Sequence, residues 1–221
     1  MKRIPAVLAL LLVVGAGCAE ADTPVPADTP SDHLEQTVPE EEPTPRDAYW
    51  ENLRVPCGDA FPGRLALEPP GDEMLEGDEL LVVHFDVCED EEIRLPFHIE
   101  QMDGEWDRSR TWIFRRMDDG RIELRHDHRT PDGEEDESTW YGAWTVGEGT
   151  ATEQEFIIED REFEDGETRG WRIIIEPGER YVYGTIRGGE WTWRVDFDLS
   201  EPMDELPPPA WGYEDGAGPL R

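Results

Sequence analysis

Lysine is all but absent from this chain. Of its 20 basic side chains only Lys2 is not arginine, and they stand against 54 aspartates and glutamates, for a formal net charge of −34. The acidic surplus is spread along the chain rather than gathered in one block. It argues against nucleic acid as a partner and against direct adhesion to anionic lipid headgroups, both of which need a basic footprint. It suits a well-solvated surface, and the missing lysine reads as coding bias rather than chemistry. Long apolar runs are absent too. The run Ile4–Val14 has eleven residues, whereas a helix that spans a bilayer needs about 20. No long segment repeats its apolar residues with helical period. There is no glycine-rich phosphate loop, no dinucleotide fingerprint and no activated-nucleophile pattern. Carboxylates are too common for any pair of them to mark acid–base catalysis, and none follows calcium-loop spacing. No cofactor is expected.

What is present begins with Lys2 and Arg3, then the short apolar run, then Gly15, Ala16 and Gly17 before Cys18. A charged start and a short apolar core make a secretory signal. With small residues leading to a cysteine, the pattern resembles that of bacterial lipoproteins, whose cysteine is lipidated and becomes residue one. The resemblance implies a signal over residues 1–17 and a membrane anchor at Cys18. Ala19 is not an inner-membrane retention residue, which implies an outer-membrane lipoprotein of the cell envelope, on its periplasmic or surface face. Cleavage after Ala21, with secretion, is the alternative. Cysteine is otherwise scarce. With Cys18 lipidated, Cys57 and Cys88 remain to pair in an oxidising compartment. Their bridge would close a loop of about 30 residues and contribute roughly 3–4 kcal/mol. Two buried free thiols are the alternative.

Residues 18–47 are rich in Pro, Thr, Asp and Glu and read as a disordered tether. Residues 201–221 read as a disordered or loosely packed tail, with Trp211 and Tyr213 as its candidates for docking back. Residues 48–200 remain as one domain, long enough to bury about 68–70% of its unfolded surface. Within it the apolar period is two almost throughout. In "WTWRVDFDL" Trp191, Trp193, Val195, Phe197 and Leu199 share a face. "ELLVVHFDV", "IRLPFHI", "GWRIIIE" and "YVYGTIR" follow the same rule. Asp-Gly, Pro-Gly and Gly-Gly turns separate them. Eight to ten short strands joined by hairpins predict an all-β domain: an antiparallel meander closed as a small, lipocalin-like β-barrel, which removes its edges. A two-sheet sandwich is the alternative.

The candidate site lies in "RIELRHDHR". By parity Ile122, Leu124, His126 and His128 point inward, near the end of a strand that leads into the Asp132-Gly133 turn. The preceding strand, "SRTWIFRRM", carries Trp112 and Phe114 on one face with Arg110. Inward polar groups at a barrel mouth are where ligands bind. Arg110, Trp112, His126 and His128 are therefore the expected ligand-binding residues, for a small polar or anionic ligand or an envelope partner. A metal is not expected. Two alternating histidines can share one zinc, but parity sends His84 and His98 outward to solvent, and an arginine beside the site repels a cation. The run Asp132–Glu137 reads as a solvated hairpin tip. A hydrolase using His126 and His128, and a purely structural envelope component, are the competing classes.

The ordered series "SRTW", "LRHDHR", "DGEED", "YG", "GTATEQEF" and "RVDFDL" resembles an uncharacterised family of secreted or lipid-anchored bacterial proteins, over roughly residues 57–199. The resemblance implies location and fold, not a reaction. The family pattern continues to a third alternating histidine; here that position is Thr130, so a three-histidine metal site does not carry over.

Overall fold

The period-two segments form eleven strands: β1 (Ala60–Leu67), β2 (Leu81–His84), β3 (Val87–Cys88), β4 (Glu92–Glu100), β5 (Trp106–Arg116), β6 (Ile122–His128), β7 (Tyr141–Thr145), β8 (Glu153–Ile157), β9 (Arg169–Glu176), β10 (Arg180–Arg187) and β11 (Glu190–Asp198). One helix, α1 (Pro45–Arg54), precedes them. The structure is a computed structural model that describes residues 42–71, 75, 77–214 and 216. The expected signal and most of the expected tether, Cys18 included, lie outside the described residues.

All pairings are antiparallel, and from β4 to β11 each strand pairs with the next. β11 returns to β1, β1 pairs with β2, and β2 pairs with β4 from Leu81↔Ile99 to Val83↔Phe97. That last pairing closes the sheet on itself, so the domain is a barrel and not a sandwich. Two-residue β3 continues the line of β2 along β4 after a break at Phe85 and Asp86. The wall is thus a ring of ten, with every strand reversing direction at a turn.

Alternation sorts the two faces. Ile93, Leu95, Phe114, Leu124, Ile173, Tyr181 and Val195 point into one buried core. The outer face carries ion pairs such as Arg125–Glu123 at 2.7 Å and Arg172–Glu155 at 2.5 Å. Arginines also cover half-buried tryptophans there, as Arg125 covers Trp144. This is the inverse of a lipid-facing barrel, whose outside is an apolar band. Trp191 departs from its expected inward face. A bulge in the β10–β11 register puts Trp193 opposite Thr185 but Trp191 opposite Ile186. The extra residue flips Trp191 outward, where Arg172 and Arg194 lie over its ring.

Two segments correct the expected boundaries. The expected tether ends inside a helix. Thr44 is its N-cap and forms a capping box with Asp47, and Pro45 opens the first turn. Tyr49, Trp50 and Leu53 are fully buried in the barrel core. Asp47 is ion-paired to Arg116, and Asn52 Nδ2 donates to the Ala151 carbonyl at 2.8 Å. These contacts place α1 over the barrel end that carries the β5–β6 and β7–β8 turns. The disulfide Cys57–Cys88, with its Cα atoms 6.1 Å apart, ties the chain after α1 to β3.

The C-terminal segment, expected to be loose apart from Trp211 and Tyr213 docking back, straps the outside of the barrel, with both of those residues among its anchors. Met203 N–H donates to the Ala60 carbonyl on β1, and Trp211 N–H to the Arg108 carbonyl on β5. Arg108 Nη1 donates to the Pro209 carbonyl at 2.6 Å, and Tyr213 hydroxyl to Asp127 Oδ2 on β6 at 2.5 Å. Between those anchors the strap crosses β2 and β4. The outward histidines of these strands, His84 and His98, are accordingly 8% and 0% exposed. Parity gave their direction correctly, but solvent is not what they meet.

Candidate functional site

With α1 at one end, the other end of the barrel holds a cavity of about 340 Å³. Arg110, Trp112, His126 and His128 all line it. Its floor is an aromatic stack across the bore. Trp112 on β5 and Tyr183 on β10 sit on opposite sides of the ten-strand ring. Their ring centroids nevertheless lie 4.0 Å apart, with planes at 22°. Phe97 packs on the Trp112 ring at 5.0 Å and 12°. One wall is a second stack: His126 lies 4.5 Å from Tyr141, at 8°, and 4.7 Å from Trp171. Trp140, immediately before Tyr141, is the one non-glycine among the described residues with left-handed backbone, φ 61°. Its N–H donates to the His126 carbonyl at 2.7 Å. Backbone of this kind persists where surrounding structure imposes it, often at binding sites. Here it begins the strand that lays Tyr141 against His126.

The two imidazoles differ in kind. His126 is 2% exposed. Its Nδ1 lies 3.1 Å from the Tyr141 carbonyl, which only accepts, so Nδ1 carries the proton. Its Nε2 then accepts from the Tyr183 hydroxyl at 2.5 Å. Both nitrogens are engaged and the ring is neutral. Burial drives its pKa down to about 3; the hydrogen bond to the Tyr141 carbonyl opposes this, and the nearby His128 and Arg125 add to the lowering. Burial also raises the Tyr183 phenol well above its ordinary range. His128 is half-buried at the mouth, with Nε2 3.2 Å from the Tyr141 hydroxyl. Burial and then Arg110 lower its pKa, against the pull of Asp136, Asp127 and Asp107.

Arg110 is directly opposite His128 across the β5–β6 ladder. Its Nη1 donates to Asp107 Oδ2 at 2.6 Å and to Ser109 Oγ at 2.9 Å. Asp107 is held below its ordinary range despite burial, through hydrogen bonds from Ser109 and the charge of Arg110. The Nε and Nη2 groups of Arg110 make no hydrogen bond among the described residues. No carboxylate among those residues lines the cavity, in a chain with 54 of them.

His126 has no free nitrogen. The one hydroxyl of a Ser or Thr at the lining, on Thr185, is bonded to Thr192 at 2.8 Å. Among the described residues no three His, Cys, Asp or Glu side chains are placed to hold a metal ion. His84 and His98 lie outside the wall that His126 and His128 face inside. The residue between the histidines serves a different purpose. Asp127, fully buried on the outer face, accepts from Arg129 Nε at 2.9 Å, Thr139 Oγ1 at 3.1 Å and Tyr213. In the acidic run after them, Asp132 caps the turn by accepting from Thr130 Oγ1 at 2.6 Å, and Glu135 meets Arg129 at 3.5 Å.

Tyr141, Trp171 and Tyr183 also line the cavity, beyond the four residues expected from sequence. Strand parity predicts that Trp171 and Tyr183 point inward, but which inward residues meet across the bore depends on ring closure. No family model matches the chain, and no curated protein or solved structure matches it either.

Proposed function

We propose that this chain is a lipid-anchored protein of the cell envelope whose barrel domain binds a small polar or anionic ligand in the open-end cavity. The observation that carries the reading is convergence. Arg110, His128 and the Tyr141 hydroxyl gather at the mouth of an otherwise aromatic pocket. A concave, mainly apolar site with a few convergent polar groups is the common form of a small-molecule site, and 340 Å³ falls within the usual range. The envelope location rests on the signal pattern ending at Cys18 and on the Cys57–Cys88 bridge, which suits an oxidising compartment. Several acyl chains on one cysteine hold a protein firmly, since each buried CH₂ contributes about 0.8 kcal/mol. The hydrolase reading has less behind it, because His126 has both nitrogens occupied at neutral pH.

Ligand-observed NMR of the purified chain with a set of small polar and anionic fragments tests the binding claim. Hits at submillimolar concentration that disappear in Arg110→Ala and His128→Ala support it. A set that yields no hit, or hits indifferent to both substitutions, refutes it. The anchor is tested separately: Cys18→Ala is expected to move the protein to the soluble fraction, and persistence in membranes refutes the anchor.

A further inference from the structure

The same cavity carries more than the general claim of binding. Its depth, its wall chemistry and its one charge each narrow the occupant. The Trp112–Tyr183 contact at 4.0 Å seals the bore, and beyond it Tyr181 packs on Trp112 and Phe85. The pocket is therefore shallow, and a long acyl chain finds no channel. Its walls are mostly aromatic side chains, Phe97, Trp112, Tyr141, Trp171, Tyr183 and Trp193, and an aromatic slot favours a planar partner. Charge narrows the occupant further. An aromatic-walled pocket in a chain of net charge −34 is at first sight a cage for an ammonium ion. Two local facts oppose that. No carboxylate among the described residues lines it, and Arg110 does.

Arg110 is also prepared for a specific contact. Asp107 and Ser109 both take Nη1. They fix the guanidinium in place and leave the Nε–Nη2 edge, the pair of parallel donors that matches a carboxylate in two-point geometry. His128 and the Tyr141 hydroxyl, 3.2 Å from each other, stand at the same mouth.

We propose that the cavity takes a planar aromatic monocarboxylate, ring inward over the Trp112–Tyr183 floor and carboxylate outward on the free edge of Arg110. This rests on the binding function proposed above and names its ligand class. The neutral His126–Tyr183 pair deeper in the pocket keeps charge out of the inner half, so a second negative group on the ring is rejected.

Isothermal titration calorimetry on the full chain at pH 7.5, with 2-naphthoate, 2-naphthamide and benzyltrimethylammonium, tests it. The expected result is 2-naphthoate tighter than 2-naphthamide by about tenfold or more, as a charge-assisted pair provides. Arg110→Gln is expected to bring the two affinities together, and Arg110→Lys, which keeps the charge and loses the fork, to fall between. Thermal melts of both variants identify which is folded, and either one suffices. Equal binding of the two naphthalenes overturns the carboxylate assignment, and tightest binding by the ammonium replaces it with a cation cage. Silence from all three probes, while the fragment set still gives cavity-dependent hits, overturns the ligand class alone. Silence in both experiments overturns the binding function with it.

Discussion

Acid stability is the property on which this barrel is most exposed, because it buries neutral histidines on both faces of its wall. His126 lies inside with both nitrogens bonded, and His98 lies outside under the strap with neither ring nitrogen bonded to protein. Burial lowers each to about 3 from an unfolded value of 6.5. For His98 the neighbours His84 and Arg108 add to the lowering and Asp107 opposes it. The folded pKa is below the unfolded one, so the unfolded chain binds the extra proton first. The stability these rings allow is intact above pH 6.5 and is lost as pH falls from 6.5 towards 3. Each fully buried ring costs up to about 1.4 kcal/mol per pH unit in that window. At pH 5 the pair together costs on the order of 4 kcal/mol, against a total of about 5–15 kcal/mol for an ordinary domain. His84 and His128, also lowered by burial, act in the same direction. Carboxylates held low by their partners, such as Asp107 and Glu92, lose their contribution only as pH falls through the carboxylate range. The interval from pH 6.5 to 4.5 therefore reports mainly on histidine. Urea unfolding at 0.15 M salt across that interval measures it. His98→Phe is expected to remove about 1.4 kcal/mol per pH unit from the slope and to gain roughly 1–2 kcal/mol at pH 8, because two unpaired ring nitrogens leave the interior. A wild-type stability that is flat from pH 7 to 5, or a slope unchanged in His98→Phe, refutes the reasoning.

The strap makes a second prediction. Tyr213→Phe withdraws a donor from the fully buried Asp127 and should cost about 1–3 kcal/mol in denaturant unfolding, with faster proteolysis after Ser200. The end helix makes a third. Trp50→Ala, at a fully buried position, should cost about 3–5 kcal/mol, read as a lower Tm. Replacing Cys57 and Cys88 together by serine should lower stability by roughly 3–4 kcal/mol for a bridge of sequence separation 31. Reduction with dithiothreitol should match it.

Period-two alternation is local, and it is strong in this chain. From it the strand class, the antiparallel meander and the shared inward face of Trp112, His126 and His128 could be read without coordinates. The oxidised pairing of Cys57 and Cys88 followed from counting. The short helix was signalled by the Thr44-Pro45-Arg46-Asp47 capping box, but three buried residues in ten leave too little period to outweigh a Pro- and Glu-rich context. What no local pattern contains is contact between distant elements. Only ring closure through β2 and β4 brings Tyr183 over Trp112 and so gives the cavity a floor. Only the returning C-terminal strap decides that His84 and His98, correctly aimed outward, are buried. Parity states which side of a strand a residue faces, a property of the backbone repeat; what waits on that side is set by segments distant in the chain.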